Sequence, residues 1–167
     1  QGALAAARLL KGETKEAERA ALKALEAWEF NYDAWNIYGA ALAGLGKKTE
    51  AAKAFSKAAE TEMTGAAPLV NLGRLYLELK DKGKAAGAFE RALKRERTAG
   101  TLDLLCGTYA ASGRLREAAG ACLASLELEP DRPPALLRLA RIYLRLGMAE
   151  PAELCLAEAA RLNPANP

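Results

Sequence analysis

The chain has 167 residues and carries 24 basic against 21 acidic side chains, so its net charge of +3 demands no polyanionic partner and argues against nucleic acid. It contains no histidine, which removes the commonest general base and the commonest zinc or iron ligand, and no cofactor or metal is expected. A hydrophobic fraction of 51% with 6% aromatics, much of it alanine and leucine, suits close-packed helices better than a sheet.

Along the chain, alanine recurs as Ala17, Ala51, Ala85, Ala118 and Ala152, at spacings of 34, 34, 33 and 34 residues. A period of that length marks a repeat array, in which each unit buries its apolar face by stacking on its neighbours. The first unit reads as Ala6, Leu9, Gly12, Ala17, Ala21 and Ala24, with Gly2 where a large anchor is expected, so its first helix should be short. Aromatic residues then crowd the junction with the second unit: Trp28, Phe30, Tyr32, Trp35 and Tyr38. Their near-helical spacing predicts packing; the competing reading is an aromatic ligand platform.

The second unit is the clearest. Trp35, Tyr38, Gly39 and Leu42 fall at i, i+3, i+4 and i+7, one face of a helix. Gly46 then suits a chain reversal that needs positive φ, and Ala51, Phe55 and Ala58 mark the inner face of a second helix. The third unit repeats the scheme with Leu69, Leu72, Gly73, Tyr76, Ala85, Phe89 and Ala92. Leu102, Leu105, Cys106, Tyr109, Gly113, Ala118, Cys122 and Ser125 make the fourth, and Leu136, Leu139, Ala140, Tyr143, Gly147, Ala152, Leu156 and Ala159 the fifth. Gly39, Gly73, Cys106 and Ala140 are expected to face Ala51, Ala85, Ala118 and Ala152, because small side chains let two helix backbones approach closely.

Residues that could carry chemistry are few. Glutamate pairs such as Glu16 and Glu18 or Glu150 and Glu153 read as solvated charges on outer helix faces rather than as catalytic carboxylates. The three cysteines are an odd number, far apart and without metal or redox spacing, so no disulfide framework is implied. Cys106 and Cys122 read as small apolar fillers in core slots, and Cys155 as the one most within reach. The third unit is basic, with Arg74, Lys80, Lys82, Lys84, Arg91, Lys94, Arg95 and Arg97 against Glu78, Asp81, Glu90 and Glu96. Part of that excess lies at a helix C-terminus, where cations offset unpaired carbonyls.

The order aromatic or Leu, Leu-Gly, Tyr, Ala, Phe, Ala, Pro over 34 residues resembles the tetratricopeptide repeat (TPR). The pattern's terminal proline is present as Pro130 and Pro164 and replaced by Glu29, Met63 and Arg97 elsewhere. The resemblance covers the whole chain. It implies an all-α, right-handed superhelical solenoid of antiparallel helix pairs: a single array of five repeats at about 1–31, 32–65, 66–98, 99–132 and 133–167. It further implies a non-catalytic scaffold whose first helices line a concave groove for a peptide or protein segment. The groove residues it selects are Asn36, Ala40 and Ala43 with Gly44, then Val70, Arg74 and Leu77 with Glu78, then Asp103, Gly107 and Ala110 with Ala111, then Leu137, Arg141, Leu144 and Arg145. Small residues at Ala40–Gly44 and Gly107–Ala111 suggest pits for bulky apolar side chains, with arginines beside them for carboxylates or carbonyls. The lysine and asparagine pair of the family's chaperone-tail clamp is missing: Asn71 and Arg138 could each supply one member, but Asn36, Ala40, Val70 and Arg74 do not complete it.

The expected partner is therefore an apolar segment with acidic residues, held by an assembly adaptor. Two alternatives stand beside it: the regulatory or substrate-recruiting arm of a larger enzyme, and a homo-oligomeric structural element. The last helix, expected over 151–162, should leave Ala152, Leu156, Ala159 and Ala160 uncovered, a face for a second copy or for further repeats. No apolar run approaches the roughly 20 residues of a membrane span, and the start at Gln1 lacks the layout of a signal peptide. The cytoplasm is favoured, with a periplasmic or membrane-anchored location if a targeting segment has been removed. The alanine-, leucine- and arginine-rich composition points to a bacterial source.

Overall fold

A computed structural model describes residues 13–60 and 65–162; the expectations for Gly2, Ala6, Leu9, Gly12, Met63, Asn163 and Pro164 lie outside that range. The described residues form nine α-helices and no strand. They are α1 (Thr14–Ala27), α2 (Tyr32–Gly44), α3 (Lys48–Ala58), α4 (Ala67–Glu78), α5 (Lys82–Arg95), α6 (Ala99–Ala111), α7 (Leu115–Leu128), α8 (Pro133–Arg145) and α9 (Ala149–Leu162).

Local signals set the helix ends. Asn31 caps α2, its Oδ1 accepting from the Ala34 amide at 3.0 Å, and the Thr98 hydroxyl accepts from the Thr101 amide at the start of α6. Proline sits in the first turn of α4 and of α8, where its missing N–H is not needed. Reversals follow α2, α6 and α8 at Gly46, Gly113 and Gly147, with φ of 77°, 78° and 75°. After α4 the same left-handed position falls to Lys80, at φ 60°, a conformation that is unfavourable for a residue with a Cβ.

The chain divides into two compact units, Gln1–Asp81 and Lys82–Pro167. In the first, α1 packs on α2, α2 on α3 and α3 on α4, and α2 also meets α4. In the second, α5 packs on α6, α6 on α7, α7 on α8 and α8 on α9, and α6 also meets α8. The alanine ladder is the centre of this packing: Ala17, Ala51, Ala85, Ala118 and Ala152 are all fully buried. Leu42, Leu69, Phe89, Leu139 and Ala140, all assigned to inner faces, are buried with them.

Two expectations are corrected, and a contact at Gly39 is added to a third. In α2 the atoms nearest to a Cβ added at Gly39 belong to the ring of Phe55, sixteen residues on, and not to Ala51, twelve residues on. In α6 the same sixteen-residue step joins Cys106 to Cys122, whose Cα atoms lie 5.4 Å apart in a disulfide. The two side chains are thus covalently paired rather than mere fillers. On the last helix, Ala152 and Ala159 are buried, whereas Leu156 and Ala160 are exposed together with Leu154. Ala152 and Ala159 of the expected open face are therefore covered, and the exposed Leu154 and Leu156, two residues apart, lie on different sides of α9.

Candidate functional site

In the first unit, the predicted groove residues lie on α2 and α4. Asn36, Ala40, Ala43, Val70 and Leu77 are half-buried and Arg74 is exposed. The Asn71 amide donates to Asn36 Oδ1 at 3.0 Å, tying the two helices together and occupying that acceptor. A Cβ at Gly44 would lie 3.0 Å from Thr14 Cγ2, so this exposed glycine runs close beside α1. Glu78 pairs with Lys48 at 3.1 Å, an exposed contact of little energetic weight.

In the second unit the set lies on α6 and α8, and its register is fixed by two contacts. Arg138 Nη1 donates to the Asp103 carbonyl at 3.0 Å, and Arg145 Nη1 to the Ala110 carbonyl at 3.1 Å, each thirty-five residues apart. Gly107 and Arg141 lie between those two tie points, one on each helix. A Cβ at Gly107 would meet nothing within 4 Å. Leu137 and Leu144 flank Arg141 in sequence and are 39% and 56% exposed, far more than core leucines. Arg141 is exposed and makes no ion pair or hydrogen bond among the described residues, so its fork is available to a ligand.

Asp103 has another task. Its carboxylate accepts from the Ser125 hydroxyl at 2.7 Å and pairs with Arg132 Nη2 at 2.6 Å. Ser125 is completely buried, and a hydroxyl in that position needs an acceptor. The predicted groove acid is thus a structural hub joining α6, α7 and the start of α8. Tyr109 is similarly committed: its hydroxyl donates to Glu90 Oε1 at 2.6 Å, and the Arg114 guanidinium sits 4.2 Å from its ring centre. Burial, with that hydrogen bond, pushes the phenol up to about 12. Burial also raises the Cys155 thiol above its usual range, which makes it less nucleophilic at neutral pH.

The aromatic cluster divides. Trp35 and Tyr38 pack edge to face, 6.0 Å between ring centres, against the core formed by Ala24, Leu25 and Ala34. Trp28 and Phe30, in contrast, are 61% and 62% exposed, so the packing predicted for them does not occur. Among the described residues there is no cluster of His, Cys, Asp or Glu able to hold a metal, and no helix long and apolar enough to cross a membrane.

Stacked helical hairpins with small residues at their crossings and open first-helix faces define a helical-repeat protein. The chain belongs to the tetratricopeptide-repeat family, whose members are protein-interaction modules: tetratricopeptide-repeat models match residues 3–69, 66–98 and 109–167. Among solved structures, MamA is 21% identical with a TM-score of 0.86, covering 96% of this chain and 94% of its own. YrrB, described as a TPR protein with an unusual peptide-binding site, is 22% identical with a TM-score of 0.81 over 97% of this chain and 84% of its own. The pilF protein of Pseudomonas aeruginosa is 21% identical with a TM-score of 0.80 over 99% and 76%. At these identities the likeness establishes the fold, and the bacterial origin of pilF fits the composition. No curated protein matches the chain in sequence.

Proposed function

We propose that the chain is a non-catalytic assembly adaptor that binds an extended, apolar segment carrying acidic residues on the first-helix faces of its repeats. The observation that supports this best is the α6–α8 face, where open space at Gly107 adjoins exposed Leu137 and Leu144 and an arginine, Arg141, with no internal partner. Apolar side chains of the ligand would cover the leucines and its carboxylates would meet the arginine fork. Arg74 plays the corresponding part in the first unit, beside Val70 and Leu77. Asp103 and Arg138 hold the face in shape rather than contacting ligand.

The test is calorimetric titration of a leucine- and glutamate-rich peptide into wild type, Arg141→Glu, Ala110→Trp and an outer-face control, Glu153→Gln. Binding by wild type and the control, with about tenfold weakening in the two groove variants, is the expected pattern. Equal affinity in all four proteins would end the groove reading.

The Cys106–Cys122 disulfide favours work in an oxidising compartment, such as a periplasm, over the reducing cytoplasm. A second reading, self-association through α9, is favoured by Leu154 and Leu156, which are 72% and 42% exposed. Light scattering across a concentration series separates the two, since the adaptor reading needs no dimer.

A further inference from the structure

Half of the chain's ten aromatic side chains, including both tryptophans, fall between residues 28 and 38. Three of the five are used by the fold or shielded by it. Trp28 and Phe30 are not: each leaves about three fifths of its surface in water, although neither is needed to cover the core formed by Ala24, Leu25 and Ala34. Exposing two large rings on one turn is unfavourable in an isolated protein, and such pairs are typical of interface hot spots.

The turn that carries them is held firmly. The Trp28 amide donates to the Ala24 carbonyl at 3.1 Å and the Asn31 amide to the Trp28 carbonyl at 3.2 Å. The Trp35 indole N–H donates to the Glu29 carbonyl at 2.8 Å, and Asn31 caps α2. Trp35, a packed aromatic, thus fixes the backbone of the loop that displays the two exposed ones. A binder whose loop is already ordered loses little conformational freedom on association.

Charge indicates what would dock. From Leu25 to Asn36 the chain carries three carboxylates, Glu26, Glu29 and Asp33, and no base, in a protein whose net charge is +3. All three are exposed and none forms an ion pair among the described residues; Lys23, one turn before Glu26, is not paired with it. Aromatic faces attract cations, and adjacent unpaired carboxylates strengthen the same preference. The arrangement disfavours an anionic membrane surface, which the carboxylates would repel.

We infer that the turn between α1 and α2 is a docking site for a cationic segment of a partner protein, its arginine or lysine heads set over Trp28 and Phe30 and among Glu26, Glu29 and Asp33. This site is separate from the first-helix faces and takes the opposite charge, so either can fail without the other.

The experiment uses a blocked twelve-residue peptide of alternating arginine and leucine, and a second in which every arginine is glutamate, titrated into the intact chain by calorimetry. The arginine peptide should bind, and the double variant Trp28→Ala with Phe30→Ala should weaken it about tenfold or more. That variant removes no charge, so diffuse electrostatic attraction alone would persist in it. Charge neutralisation through Glu26→Gln, Glu29→Gln and Asp33→Asn should weaken binding and flatten its salt dependence, while Ala110→Trp should leave it unchanged. Both sets of substitutions lie on exposed side chains, so a circular-dichroism melt should match wild type. Unaltered affinity in the aromatic variant would overturn the proposal, as would no binding of the arginine peptide or an equal loss of glutamate-peptide binding in that variant.

Discussion

The α2–α3 and α6–α7 hairpins have the same length of connection and the same buried alanine at the crossing, yet they fill one shared slot by opposite means. In α2–α3 the slot holds Gly39 under the ring of Phe55; in α6–α7 it holds the bond between Cys106 and Cys122. A glycine and a large ring solve the spacing by shape alone, whereas two small cysteines leave less surface in contact and join the helices covalently instead. The repeat scaffold therefore keeps a contact at this pair of positions and lets its chemistry vary from one unit to the next.

That comparison can be tested by exchange. A disulfide closing a loop of sixteen residues is expected to contribute about 3 kcal/mol, so a phosphine reductant should lower the melting temperature of wild type by several degrees. The variant Cys106→Gly with Cys122→Phe, which copies α2–α3, should lose its sensitivity to reductant and keep more stability than the double alanine variant. If it melts no higher than the double alanine, the two slots are not equivalent.

A smaller effect is expected from Gly39→Ala. The new methyl would lie 2.7 Å and 2.8 Å from Phe55 ring carbons, and relieving that overlap should cost about 1 to 3 kcal/mol, outweighing the helix-propensity gain. Urea denaturation measures it; a stabilised variant would mean that the ring moves aside freely. Smallest, and opposite in sign, is Gly107→Ala, one residue from the disulfide. Its Cβ enters open space, so the same substitution should stabilise by about 0.5 to 1 kcal/mol in the same assay. A loss of stability there would show that the α6 face is more closely packed than its geometry indicates.

The alanine period and the inner faces of the helices could be read directly from the sequence, because each buried position recurs at the interval that stacking demands. The reversal glycines were equally readable; Lys80 was not, since nothing in its chemistry announces a positive φ. The disulfide was hidden for a related reason. Two cysteines in core slots look like small apolar residues until the sixteen-residue step is known, and Gly39 and Phe55 carried that step without marking it as a contact. Trp28 and Phe30 misled because aromatic residues near a helical period usually pack, and the turn that turns them outward depends on bonds from Trp35 and Asn31. The period sets Asp103 on the first helix of its unit, but its bonds to Ser125 and Arg132 come from segments more than twenty residues away.

The position of the disulfide bears on how the chain acquires it. Cys106 and Cys122 are consecutive along the sequence and belong to one hairpin, whereas Cys155 follows later on α9. A chain exported or synthesised from its N-terminus presents the two partners to an oxidant before the third thiol arrives. Among the three cysteines of residues 1–167, oxidation in order of emergence then favours the native pair over either pairing with Cys155.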